Sequence, residues 1–217
     1  MKGILKRIKN RHAFVNQLFI KMNLNRYYIF LTIIILSLVF ISCGQNGTPL
    51  PRGYFRIELP EKEYQQFDTT FPYSFSYPVY GEVIPDQRAD AEPWWADVVF
   101  PSFRASLHLS YKTIDEPEQL YDYIEDGRNF VNRHIPKATG FQENLYSNEE
   151  TNVYGILYEI RGREAASPMQ FYLTDSTKHY LRGSLYFNVT PNNDSLAPVI
   201  RFLADDIRIL METLEWK

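Results

Sequence analysis

An uncharged run, Ile29 to Ser42 (IFLTIIILSLVFIS), ends at Cys43, the only cysteine in the 217-residue chain. This junction decides how much of the chain is available to fold. Before it lie Lys2, Lys6, Arg7, Lys9, Arg11, Lys21 and Arg26, and no acidic residue. A basic segment, a short apolar segment and a small residue before the cut describe a secretory signal. The run is short of the roughly 20 apolar residues that a spanning helix needs. The basic flank holds its own end in the cytoplasm, so the rest of the chain is exported. An uncleaved signal anchor is the alternative.

Cys43 points to a particular cleavage. The stretch FISCG, Phe40 to Gly44, is similar to the lipobox of bacterial lipoproteins. There the cysteine thiol is diacylated, the signal is cut just before it, and the new amine is acylated, with fatty acids such as palmitate. Phe40 stands where the usual pattern has Leu, while Ile41 and Ser42 fit. Several acyl chains on one residue anchor stably, because each buried CH₂ contributes roughly 0.8 kcal/mol and one chain alone is marginal. Cys43 is therefore expected to be the lipid-attachment site and the first mature residue. No second cysteine remains to pair or misreact in an oxidising envelope. The leader also holds Met22, which opens a self-sufficient signal with one basic residue, and translation is expected to start there. The expected organisation is a signal over 1–42, a flexible tether over 43–52 and a single α+β periplasmic domain over 53–217.

Removing the leader changes the charge balance. Seven of the 23 basic residues and none of the 26 acidic ones precede Cys43, so the remainder carries −10 (16 − 26). An acidic surface argues against nucleic acid and against electrostatic adhesion to anionic lipid. The remaining 175 residues or so (217 − 42) suffice for one domain with a real core. Aromatics make up 16% of the chain, mainly Tyr and Phe, which favours strands.

Periodicity separates strands from helices. YFRIELP alternates like a short strand, and Phe71 to Pro85 reads as a strand limited by prolines. In residues 104–111, Ala105, Leu107, Leu109 and Tyr111 alternate with Arg104, Ser106, His108 and Ser110, placing His108 on a polar sheet face. Residues 115–137 read as a helix capped by Asp115 with Glu118 three positions later, and Gly127 is expected to allow close packing on a sheet. Residues 152–162 and 167–189 are β-rich, with Thr174 to Lys178 as a hairpin turn. The last segment is a helix capped by Asp194 or Ser195, with Pro198 in its first turn. Its stripe Leu196, Val199, Ile200, Leu203, Ile207, Leu210, Met211, Leu214 is a core-packing face. The order implies an α+β fold with an antiparallel sheet packed by helices and a C-terminal amphipathic helix. By analogy it is similar to the PsbP-like α/β/α sandwich.

No nucleophile elbow, phosphate loop, dinucleotide motif or HExxH motif is present. His108 has no second ligand at metal spacing, His134 lies near a helix C-terminus, and His179 is expected to be exposed after its turn. No catalytic residue, metal site or cofactor is expected. Trp94 and Trp95 lie together beside Pro93. Adjacent strand residues face opposite ways, so one can be core and the other a surface anchor for a partner.

Three segments carry a family resemblance: PRGYFRIELPEKEYQQFD, PYSFSYPVYGEV, and SPMQFYLTDSTKHYLRGSLYFNVTPNNDSLAPVIRFLADDIRILMETLEW. Together they resemble the gliding-motility lipoprotein GldD of the Bacteroidota, from about Pro51 to Trp216. The resemblance implies a lipid-anchored envelope protein, required for gliding or for the associated type IX secretion machinery. It implies no catalytic residues. The partners it implies are other gliding and type IX secretion envelope proteins, with the membrane held through Cys43. A periplasmic module binding a small lipid or glycan ligand is the alternative.

Overall fold

The computed structural model describes residues 57–217 and, before them, Arg26, Tyr28 and residues 31–33, which are helical. The chain divides into two compact units, Met1–Gly53 and Tyr54–Lys217. The second unit is an α+β fold.

Its centre is a seven-stranded antiparallel sheet in the order β3-β4-β5-β9-β8-β7-β6. In chain order these are β3 (Glu82–Pro85), β4 (Ala96–Phe100), β5 (Ala105–Thr113), β6 (Gly140–Asn148), β7 (Val153–Arg161), β8 (Met169–Thr174) and β9 (His179–Phe187). A three-stranded sheet holds β2 (Tyr73–Pro78) between β1 (Tyr64–Phe67) and β10 (Glu215–Trp216). Helix α1 (Pro117–Asn132) joins β5 to β6, and α2 (Asn193–Glu212) follows β9.

Alternation along β5 and β9 assigns the two faces of the large sheet. Leu107, Leu109 and Tyr111 pair with Leu185, Gly183 and Leu181, all on one face. Onto this face pack Leu203, Ile207 and Leu210 of α2, with Tyr73 and Phe75 of β2, every one at most 2% exposed. Fully burying one such side chain stabilises by about 1.5–3 kcal/mol. A Cβ at Gly183 would collide with the Phe171 ring, so the missing side chain makes room for that aromatic. On the other face, His108, Ser110 and Lys112 pair with Ser184, Arg182 and Tyr180. Helix α1 covers part of this face, with Val131 against Tyr158 and Ile160. Here a Cβ on Gly127 would stand 2.8 Å from the Tyr180 hydroxyl, so the glycine does permit close helix–sheet approach.

Several local expectations are corrected. Ile57 to Pro60 form no strand, and the first strand among the described residues is Tyr64–Phe67. Residues 71–85 break into β2 and β3 at a Pro78–Gly81 turn. The cap of α1 is Glu116, not Asp115, because Pro117 takes the first helical position. Gln119 Oε1 then accepts the backbone N–H of Asp115 (2.8 Å) and Glu116 (3.3 Å). Helix α2 begins at Asn193, whose amide donates to Gly162 O and Ala165 O at 2.8 Å each. Pro198 therefore lies beyond the first turn, where it removes a rung of the helical ladder.

Asp206 sits on the buried side of α2 at 2% exposure. Lys62 Nζ donates to it at 2.5 Å and Tyr64 Oη at 3.0 Å, and Tyr80 Oη donates as well. Burial, reinforced by the carboxylate, pushes the Tyr64 phenol up to about 12 and Tyr80 further, so both remain protonated donors. The cluster ties the entry to β1 and the β2–β3 turn onto α2. A buried carboxylate is tolerated here because it is paired and hydrogen-bonded.

Candidate functional site

The second face of the sheet is only partly covered. Between α1 and the β3–β4 loop lies a cleft of about 640 Å³, within the range typical of ligand pockets. Its floor is β5 and β9, with His108, Ser110 and Lys112 beside Arg182, Ser184 and Tyr186. Tyr123, Asp126 and Phe130 of α1 form one wall, and Arg88, Asp90 and Trp95 the other.

Most charges of this cleft are locally matched. Arg88 binds Asp86 through Nε (2.9 and 3.0 Å) and Nη2 (2.5 Å), and His108 Nδ1 contacts Asp97 at 2.5 Å. Lys112 pairs with Glu92 and lies 5.6 Å from the centre of the Trp95 ring. Arg182 differs. Among the described residues no carboxylate pairs with it. Its guanidinium lies 4.6 Å over the Phe130 ring and donates from Nη2 to Gln170 Oε1 at 2.7 Å. Desolvation draws its pKa down from the ordinary arginine value, partly offset by the phenols of Tyr186 and Tyr180.

Gln170 is 1% exposed, and its Nε2 has no hydrogen-bond partner among the described residues. A buried amide left so costs about 1–3 kcal/mol. The fold thus gives up stability while the amide oxygen faces Arg182 across the β8–β9 hairpin. Behind the guanidinium runs an aromatic row. Tyr172 and Tyr180 stack at 5.7 Å, and Tyr180 Oη donates to Tyr123 O at 2.9 Å. Burial raises the Tyr180 pKa strongly, which keeps that donor protonated.

The residues singled out in the sequence are scattered. Cys43 lies outside the described residues. Trp94 and Trp95 do diverge, though in a turn before β4 rather than within a strand. Trp95 lines the cleft and donates from Nε1 to Tyr111 O at 2.9 Å. Trp94 turns the other way, its ring edge-on to Phe71 at 5.4 Å. It is 42% exposed, and its backbone is left-handed (φ 68°). That conformation is uncommon for a bulky residue. It is held by Tyr73 Oη, which donates to Trp94 O at 2.7 Å.

His108 is on the polar face as expected. His179 is not exposed: it is 5% accessible, stacked on Trp216 at 5.1 Å, with Nδ1 2.7 Å from Tyr111 Oη. The 174–178 turn is confirmed, built around Asp175, which accepts the N–H of Thr177, Lys178 and His179. Burial pushes the Asp175 carboxyl up, but these donors outweigh it and bring it down to about 2. Sequence reasoning missed Arg182, Gln170 and Phe130. The signal for the first two was their cross-strand placement about the 174–178 turn.

Among the described residues no helix is long and apolar enough to cross a membrane. The chain is similar in structure to the cyanobacterial PsbP, CyanoP, of Synechocystis. Identity is 14%, coverage is 78% of this chain and 99% of that one, and the TM-score is 0.45. Comparison with curated proteins gives no match. Residues 44–216 match the family described as gliding motility lipoprotein GldD. The match spans the whole seven-stranded sheet, both helices and the cleft, and the chain belongs to that family of gliding-motility lipoproteins.

Proposed function

We propose that this protein is a lipid-anchored component of the cell envelope that serves gliding motility and the type IX secretion machinery by binding a protein partner, not by catalysis. Its acyl anchor is Cys43 and its domain faces the periplasm. The observation that carries the binding reading is Trp94. A tryptophan 42% exposed, in a left-handed backbone, is costly in isolation. Such outliers persist where surrounding contacts fix them and where they have a use. Tyr73 and Phe71 supply those contacts here. Exposed tryptophans beside other aromatics are favoured anchors at interfaces.

The test is paired. Trp94→Ala should leave the melting temperature nearly unchanged while gliding and secretion fall in cells carrying it. Normal gliding and secretion with a folded Trp94→Ala protein would refute Trp94 as the anchor. The anchor at Cys43 is tested by clickable fatty-acid labelling, which should mark wild type and not Cys43→Ser.

A further inference from the structure

We infer that the cleft between α1 and the β4–β5–β9 part of the sheet binds a small organic anion, its carboxylate or phosphate group seated on Arg182 and its body against Trp95, Tyr123 and Tyr186. This goes beyond the partner-binding role, since Trp94 faces Phe71 and does not line the cleft.

Four observations converge. First, the cleft has room for a ligand, about 640 Å³. Second, its walls are aromatic, and flat apolar surfaces suit rings and acyl groups alike. Third, the charges of Arg88 and Lys112 are engaged by Asp86 and Glu92 and the His108 ring contacts Asp97, while no carboxylate among the described residues engages Arg182. Asp90 and Asp126 also line the cleft and pair with no described cation there; they repel an anion, which confines its seat to Arg182. Fourth, the guanidinium is held in advance. One of its five donors is committed to Gln170 and its face rests on Phe130. The others remain, in the planar fork that matches a carboxylate or phosphate. Ser110, its cross-strand neighbour on the floor, adds a hydroxyl.

The orphaned Gln170 amide fits this account. A glutamate at that position would answer the guanidinium with a charge and leave no stranded N–H. Glutamine orients the guanidinium without neutralising it. Gln170 is thus a positioning residue, and Arg182 the binding residue.

The test uses the full chain in nonionic detergent, with calorimetric titration and heats into empty micelles subtracted. Two matched pairs serve as probes. Dihexanoylphosphatidate is set against dihexanoylglycerol, and N-acetylmuramate against N-acetylglucosamine. Each pair differs by its anionic group, and the two pairs separate a lipid source from an acidic-sugar source. At least one anion should bind tenfold or more tightly than its neutral partner. Arg182→Gln should abolish that preference, and Arg182→Lys should retain part of it. Gln170→Glu should fold and yet lose the preference, which a purely structural role for Gln170 does not explain. The inference is overturned if neither anion outbinds its neutral partner in wild type, or if the preference survives Arg182→Gln or Gln170→Glu. The wild-type comparison decides even where a variant fails to fold.

Discussion

The two faces of the large sheet are built from the same strands and differ in almost everything else. Along β5, Leu107, Leu109 and Tyr111 point to the α2 face, and His108, Ser110 and Lys112 to the α1 face. The α2 side is closed by a helix and a second sheet, and its large side chains are buried within a few per cent. The α1 side is closed only over β7, β8 and β9, and carries the paired charges, the tyrosine row and Arg182. One face therefore holds the fold together. The other can tolerate an unsatisfied amide and an uncompensated guanidinium because its partner supplies the stability. Residues that break the local rules of burial and pairing are tolerated on the face that stability does not need.

The largest expected effects lie on the α2 face. Ile207 is 1% exposed, and Ile207→Asp would bury a carboxylate among Leu and Phe side chains. Burying an unpaired charge costs several kcal/mol, a large part of the roughly 5–15 kcal/mol that hold a domain together. The variant should be unfolded, or should melt far below wild type in a thermal scan. Leu109→Ser, on the face opposite the cleft, should cost about 3–5 kcal/mol through its cavity and hydroxyl. An unchanged melting temperature in both would mean that this face does not carry the fold.

Next comes the tie of β1 and the β2–β3 turn to α2. Asp206→Asn removes the charge that Lys62, Tyr64 and Tyr80 share. Breaking a fully buried pair costs about 3–5 kcal/mol; the Lys62 side chain keeps 29% of its exposure, so about 2–3 kcal/mol is expected. The readout is the urea midpoint. A second carboxylate substitution on the same helix, Asp205→Asn, should leave it nearly unchanged, since Asp205 is exposed.

Legibility in the sequence depends on which contacts are local. The stripe of α2 and the alternation of β5 are written at periods of 3.6 and 2, and both the helix and the face assignment emerged from them. Asp206 was not legible as a buried group, because its partners lie 126 to 144 residues away. Gly127 was legible as a close-packing position, but not that Tyr180 is what it approaches. The burial of His179 was within reach. It shares parity with Leu181 and Leu185, and continuing that alternation back to the turn puts it in the core. The polar turn residues Asp175 to Lys178 suggested exposure instead. The cleft needed β9, α1 and the β3–β4 loop to converge, which no local pattern encodes.

A smaller effect divides the faces by proton. His179, on the α2 side, and His134, beside Arg182, both have pKa values below the ordinary 6.5. Desolvation is the main cause in each, joined at His134 by the Arg182 charge and partly opposed at His179 by Asp175. The unfolded chain then takes up protons that the folded chain resists. The stability these groups contribute is complete above about pH 6.5 and is lost as pH falls through the folded values. Urea midpoints should drop between pH 7 and pH 5, and His179→Asn should flatten part of that drop. An identical pH dependence in wild type and variant would place the linkage elsewhere.

The smallest effect is the most discriminating. Ser110 is next to Leu109 in the same strand but lines the cleft opposite Arg182. Introducing leucine at a core position normally strains its neighbours by about 1–3 kcal/mol. Ser110 faces open space instead, so Ser110→Leu should change stability by no more than about 0.5 kcal/mol, the usual range for a surface site. The same substitution fills the floor beside the guanidinium, and preference for the anionic probes should fall at least tenfold. Thermal unfolding and calorimetric titration of one variant thus read the two faces separately. A large loss of stability would show that the α1 face is packed as tightly as the other, and the contrast between the faces would fail. Stability and anion preference both unchanged would leave that contrast standing and move the anion away from the cleft floor.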